Sequence, residues 1–187
     1  MKRALLLTGK PGTGKTALIK EALARTGIRA GGFYTEEIRT GGVREGFRIV
    51  TLDGQEAVLA HVNASGHHQV GRYKVDTRAL DEVGVSALER ALQQDDLIVI
   101  DEIGKMELLS HRFQYAVTRA INSGERVLGT IMLNPHPFAD EIKRRTEVEV
   151  LSVTGHDETR AMTRVLAWLS DRSSRQNGNP GIPVPNL

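Results

Sequence analysis

Gly9-Lys10-Pro11-Gly12-Thr13-Gly14-Lys15-Thr16 meets the G-x-x-x-x-G-K-[ST] phosphate-loop pattern at every fixed position. The flanks have the character that such a loop requires. Ala4-Leu5-Leu6-Leu7 leads in as a buried strand, and Ala17-Leu18-Ile19-Lys20-Glu21-Ala22-Leu23 leads out as a helix. The glycines let backbone N–H groups turn toward one point, and the helix N-terminus adds positive potential there. Gly9 to Thr16 are therefore the candidate nucleotide-binding residues. Lys15 reaches the β- and γ-phosphates, and the Thr16 hydroxyl is a candidate Mg²⁺ ligand. The loop predicts a bound nucleoside phosphate and leaves the reaction open.

The reaction is addressed by Leu97-Ile98-Val99-Ile100-Asp101-Glu102. An apolar run of this kind is a strand covered on both faces. Ending in Asp at the carboxyl edge of the sheet, it sets Asp101 beside the loop's Mg²⁺ as a second metal ligand, in the manner of a Walker B strand. The plainer alternative is a core strand followed by a solvated acidic turn. Glu102, just beyond, is a candidate base that polarises water for in-line attack on the γ-phosphorus; otherwise it tunes the metal or caps the turn. Glu102 and Lys15 are the catalytic candidates.

Between these motifs, Gly32 to Arg39, Val43 to Leu52 and Gln55 to Ala60 read as strands separated by Thr40-Gly41-Gly42 and Asp53-Gly54. They predict an antiparallel meander inserted at about residues 32–60. Ala64 to Gly71 reads as loop and Ser86 to Gln93 as a short helix. Helical spacing returns at Phe113, Ala116, Val117, Ala120 and Ile121, and Ser123-Gly124 ends it. Val127 to Ile131 and Val148 to Val153 read as two more buried strands, with a short helix over Phe138 to Arg145 between them. Asp157 to Asp171 is the closing helix, in which Trp168 packs. From Arg172 the composition turns to Ser, Asn, Gly and Pro, so 1–171 reads as the folded domain and 172–187 as a disordered tail. The fold class is α/β, with a largely parallel central sheet and the meander at its edge.

Bulk composition narrows the classes further. The 187 residues suit one domain with an insertion. A formal net charge of +2, with 26% charged residues, gives no indication of a nucleic-acid partner. The lack of cysteine excludes disulfides, thiol catalysis and cysteine zinc sites, and suits a reducing compartment. The opening Met1 to Leu7 has the beginnings of a signal peptide, but its apolar part is too short and runs into the phosphate loop. No apolar run has the length of a membrane helix, so the expectation is a cytoplasmic protein without membrane attachment.

Three ordered blocks, Gly9 to Thr16, Gly32-Phe33-Tyr34-Thr35-Glu36-Glu37 and Asp101-Glu102-Ile103-Gly104-Lys105-Met106-Glu107-Leu108, carry a resemblance. Gly46-Phe47, Gly71-Arg72-Tyr73, Val75-Asp76 and Gly129-Thr130-Ile131 add to it. From Lys2 to Trp168 the chain resembles the nucleoside-triphosphatase family of the human cancer-related nucleoside-triphosphatase and its thermophile relatives. The resemblance implies a three-layer P-loop NTPase fold of the additional-strand, catalytic-glutamate division. It also implies slow, Mg²⁺-dependent hydrolysis of ATP, GTP and other nucleoside triphosphates, with broad base specificity. Where that family usually has Asn-Arg at the start of the last helix, this chain has Thr159-Arg160. Arg160 keeps the charge and is a further nucleotide-binding candidate; loss of the amide puts the base contacts in doubt.

Several residues carry two readings. Thr35 and Glu36 either position water or an acceptor, or simply end an exposed strand. Thr130 either senses the γ-phosphate or is a satisfied strand hydroxyl. Lys105 either adds charge over the phosphates or solvates a turn. Lys143, Arg144 and Arg145 are either a charge-neutralising lid or a solvated helix face. His67-His68 lacks the carboxylate or histidine at helical spacing that a metal site needs. Two rival functions share the phosphate loop: a phosphotransferase acting on nucleosides, nucleotides or polynucleotides, and a nucleotide-dependent switch. A water-activating Glu102 fits a kinase poorly, since a kinase must keep water from its phosphoryl group. Base preference and oligomeric state have no readable signal.

Overall fold

A computed structural model describes residues 2–65 and 67–171, so the predicted tail at 172–187 lies outside the described residues. β1 (Ala4–Thr8) is buried along its whole length because it runs parallel between β8 (Val127–Ile131) and β9 (Val148–Ser152). β8 in turn pairs with β7 (Leu97–Ile103), and β7 with β2 (Ala30–Thr40), all parallel. β2 then changes partner sense. Its other side pairs antiparallel with β3 (Val43–Thr51), which leads to β4 (Glu56–His61), β6 (Tyr73–Val75) and β5 (His68–Val70). Among the described residues these strands form one sheet in the order β5-β6-β4-β3-β2-β7-β8-β1-β9. The meander is therefore a continuation of the parallel sheet, and strand pairing extends past the expected meander to Val75.

Helices cover both faces, giving three layers. α1 (Lys15–Thr26) and α6 (Glu158–Ser170) bury Leu18, Ile19, Ala22, Val165 and Trp168 against Leu5, Leu7, Leu97 and Val99. The opposite face holds α3 (Ser86–Gln94), α4 (His111–Asn122) and α5 (Pro137–Arg144), packed on Leu6, Phe33, Ile98 and Ile100. α3 extends a longer helical run that starts at α2 (Thr77–Ala79), where the Asp76 carboxylate caps the N–H groups of Arg78 and Ala79, and continues through a π-helical stretch at Leu80–Val85. α1 stops at Gly27, whose φ of 60° lets its N–H reach the Leu23 carbonyl at 3.0 Å. Trp168, 1% exposed, donates its indole N–H to the Lys2 carbonyl at 3.0 Å and closes α6 on the start of β1. Burying a side chain of that size is worth about 3 kcal/mol.

Two strand expectations change. His68–Val70, within the segment expected to be loop, is β5, because its ladder bonds to Tyr73–Val75 need no apolar pattern. β9 is half-exposed where a buried strand was expected. Among the described residues it has β1 on one side and no strand on the other, and its Glu149 faces Arg164 of α6. Among the described residues no helix is long and apolar enough to cross a membrane.

Candidate functional site

The loop between β1 and α1 turns on Gly12 and Gly14, whose φ angles of 79° and 78° are open to glycine at little cost. Gly14 is also the N-cap of α1. It has no side chain to bond the first-turn N–H groups, and no acidic residue lies in that turn. The donors and the positive end of the helix therefore face outward together, an arrangement suited to an anion. The Lys15 ammonium lies back on the loop, donating to the carbonyls of Gly9 at 3.1 Å and Lys10 at 3.0 Å and approaching the Thr13 hydroxyl at 3.5 Å. Thr13 itself donates to the Lys10 carbonyl at 3.0 Å.

A cleft of about 620 Å³ opens over this loop. Pro11, Gly12, Gly14, Lys15 and Thr16 form one wall, and Asp101, Glu102, Lys105 and Glu107 from the end of β7 and the turn after it form another. Thr35, Glu37, Arg44, Phe47 and Val70 of the meander complete it. The last part is long-range: β2 pairs with β7 so that Tyr34 lies beside Asp101, which brings the meander to the mouth of the phosphate loop.

Asp101 is 3% exposed. Burial pushes its carboxyl above the usual carboxylate range, against the opposing pull of Thr130, Thr16 and Lys15. The Thr130 hydroxyl donates to Oδ1, while Oδ2 is buried with no hydrogen-bond partner. An orphaned buried carboxylate oxygen beside a threonine hydroxyl fits a hard cation. Among the described residues no set of three or more His, Asp or Glu is placed to hold a metal alone. The peptide between Asp101 and Glu102 is cis. The Glu102 carboxyl is raised by burial and then by Asp101, and Lys15 opposes the shift.

The remaining candidates separate. Thr35 lines the cleft, and its hydroxyl approaches Glu107 Oε1 at 3.5 Å. Glu36 does not line it. Strand alternation turns Glu36 to the α1 face, where Lys20 and Arg48 pair with it and hold its carboxyl low, and Glu37 takes the cleft side. Thr130 is fully buried and spends its hydroxyl on Asp101. Lys105 is at the rim. Arg160 is exposed on the first turn of α6 and lines neither the cleft nor the groove described next. Lys143 pairs with Asp140, and Arg145 with Glu141 and Asn122; neither lines the cleft. A second groove of about 310 Å³ runs between α1 and α6 and shares Gly14 and Ala17 with the cleft; Leu18, Met162 and Leu166 are its apolar lining, and Glu21, Arg25, Glu158, Thr159 and Thr163 its polar lining.

Sequence reasoning missed Arg44 of the meander and, beside Glu102, Glu107. Glu107 opens the 3₁₀ turn Glu107–Leu109, is 3% exposed, and its carboxyl is pushed up to about 8 by burial, then by Glu102 and Asp101. An acid in the apolar run Met106-Glu107-Leu108-Leu109 was the available signal. Its raised pKa has a stability consequence. Between the ordinary value of 4.5 and about 8 the folded state holds a proton that the unfolded state has released. Its contribution is therefore full below about pH 4.5 and is lost as pH rises through about 8. Glu107→Gln should flatten the fall of the urea midpoint over that interval; an unchanged slope would refute the assignment of the proton.

Comparison with known proteins matches residues 4–166 to the family model described as NTPase. A nucleoside-triphosphatase THEP1 from Thermotoga sp. (strain RQ2) is 44% identical over 173 residues, covering 92% of this chain and 99% of the relative. The cancer-related nucleoside-triphosphatase of Homo sapiens is 36% identical over 192 residues, covering 94% and 100%. The crystal structure of THEP1 from the hyperthermophile Aquifex aeolicus superposes with a TM-score of 0.82 at 34% identity, covering 90% of this chain and 99% of that one.

Proposed function

From the premise that this chain belongs to the NTPase family, we propose that it is a Mg²⁺-dependent nucleoside-triphosphatase, releasing phosphate from ATP, GTP and other nucleoside triphosphates. The observation that supports this most is that Glu102, Lys15, Thr16 and Asp101 line a single cleft with the phosphate loop. In this reading the N–H groups of Gly12 to Lys15 and the Lys15 ammonium bind the β- and γ-phosphates. Thr16 and Asp101 would hold Mg²⁺, which when bound neutralises charge on the phosphate oxygens. Glu102 takes a proton from water as the new oxygen–phosphorus bond forms in line with the breaking bond to the β-phosphate oxygen. The nucleoside diphosphate leaves, and Lys15 stays with the charge that develops.

Two further features belong to the proposal. The base lies in the groove between α1 and α6, because that groove joins the cleft at Gly14 and Ala17, on the α-phosphate side. Leu18, Met162 and Leu166 offer the base an apolar surface, and Glu21, Arg25, Glu158, Thr159 and Thr163 line the rest of the groove; with the broad base specificity of this reading, kcat/KM for ATP and GTP should agree within about tenfold. Turnover is slow because the cleft's arginine, Arg44, is tied to Glu37 at 2.7 Å and to the Tyr73 hydroxyl at 3.1 Å instead of facing the phosphates.

One observation favours the phosphotransferase as second reading: the cleft continues beyond Glu102 to Phe47, Val70 and Arg44, which is room for an acceptor. γ-Labelled ATP with Mg²⁺, alone and with cell extract, decides between them. Free labelled phosphate in both, abolished by chelating the metal, is the expected result. Label appearing on an organic acceptor overturns the hydrolase.

A further inference from the structure

Glu107 has no task in the mechanism just described, yet its position is not one that stability would select. Among the described residues no lysine or arginine pairs with it, and it is almost wholly buried. An unpaired buried acid costs folding free energy that an apolar side chain of similar volume would not. Its backbone is fixed by the Leu108 N–H bond to the Gly104 carbonyl at 2.9 Å and the Ser110 N–H bond to its own carbonyl at 3.0 Å. The side chain is thereby aimed into the cleft, where Thr35 approaches one carboxyl oxygen.

Gly104 shows where the other oxygen points. A Cβ built there would collide with Glu102 Oε1 and stand 2.9 Å from Glu107 Oε2, so the two carboxyls converge over the one residue that has no side chain. We propose that Glu107 is a positioning residue for hydrolysis: its carboxyl hydrogen-bonds that of Glu102 and holds Glu102 toward the attacking water. The inference rests on the reading of Glu102 as the base. A carboxyl that carries a proton donates to one that does not, so one proton between the two is enough for this bond. Thr35, Glu107 and Glu102 then form a line from the meander to the reacting phosphate, with Gly104 leaving the space in which it closes.

Steady-state ATP hydrolysis with Mg²⁺ tests this through Glu107→Leu, Glu107→Gln and Gly104→Ala, each also placed in a Glu102→Gln background and followed by single-turnover phosphate release. Glu107→Leu should lower kcat about 10- to 100-fold, the usual worth of a displaced catalytic group, with KM within about threefold. Glu107→Gln, whose amide can still donate to Glu102, should recover most of that loss. Gly104→Ala, which wedges the carboxyls apart, should reproduce the kcat loss even if Glu107→Leu does not fold. In the Glu102→Gln background none of the three should cost anything further. The proposal is overturned if Glu107→Leu or Gly104→Ala keeps kcat within about twofold, if Glu107→Gln is as impaired as Glu107→Leu, or if the losses multiply with that of Glu102→Gln. An active Glu102→Gln protein sinks the base assignment itself; an inactive one beside an active Glu107→Leu protein sinks this inference alone.

Discussion

Glu102→Gln should bind ATP with unchanged affinity and release phosphate about two or more orders of magnitude more slowly. The substitution keeps size and hydrogen-bonding shape and removes the capacity to accept a proton. Glu102 lies at the end of β7, one residue beyond Asp101, on a wall of the cleft facing the phosphate loop. Its carboxyl is raised by burial and by Asp101, which moves its proton affinity toward that of a working base at neutral pH. The proposed binding groups are elsewhere, on Gly12 to Thr16, so affinity and rate should separate. Affinity is read by titration with ATP, and rate by phosphate release in a single turnover. Near-normal release by the variant would remove Glu102 from the mechanism and leave the acceptor-transfer reading as the stronger one.

What could be read in advance follows from how local each feature is. The phosphate loop is eight consecutive residues with its strand and helix attached, and β7 is a continuous apolar run ending in two acids. Both are contiguous in the chain, so pattern alone finds them, and the α/β class with a largely parallel sheet follows from strands alternating with helices. The cleft's other wall is not local. Thr35 and Glu37 share a face of β2, and Glu36 takes the opposite one, toward Lys20. Alternation requires two such classes, but only the pairing of β2 with β7 decides which class meets the phosphate loop. Arg44 and Phe47 reach the cleft by a hairpin whose register sets them across from Arg39 and Glu37. Thr130 ends beside Asp101 because β7 and β8 are neighbours, and its hydroxyl donates to that carboxylate. Glu107 was hidden by its company: an acid among apolar residues reads as a turn, and only burial beside Glu102 makes it a member of the site.

Lys15→Ala should weaken nucleotide binding itself, by about 10- to 100-fold, since a hydrogen bond between charged partners is worth about 1.5–3 kcal/mol. The measurement belongs in the Glu102→Gln background, where ATP survives the titration. Without a ligand, Lys15 lies back on the loop. Its ammonium is held by the Gly9 and Lys10 carbonyls inside the loop, so the charge is already where the β- and γ-phosphates are proposed to sit, and little side-chain entropy is lost on binding. The same ammonium opposes the upward shifts of Asp101 and Glu102, so its field reaches both carboxyls. Truncation therefore acts twice. It removes a direct phosphate contact, and it leaves two buried acids with less compensation, which repels a polyphosphate. The helix N-terminus and loop N–H groups persist in the variant and hold the residual affinity. Raising salt separates the contributions, because the loss attributable to Lys15 charge shrinks with screening while the backbone contacts do not. An affinity for ATP equal to that of the parent protein at low salt would mean that the loop binds phosphate without its lysine, and the assignment of Gly9 to Thr16 as the triphosphate site would fall with it.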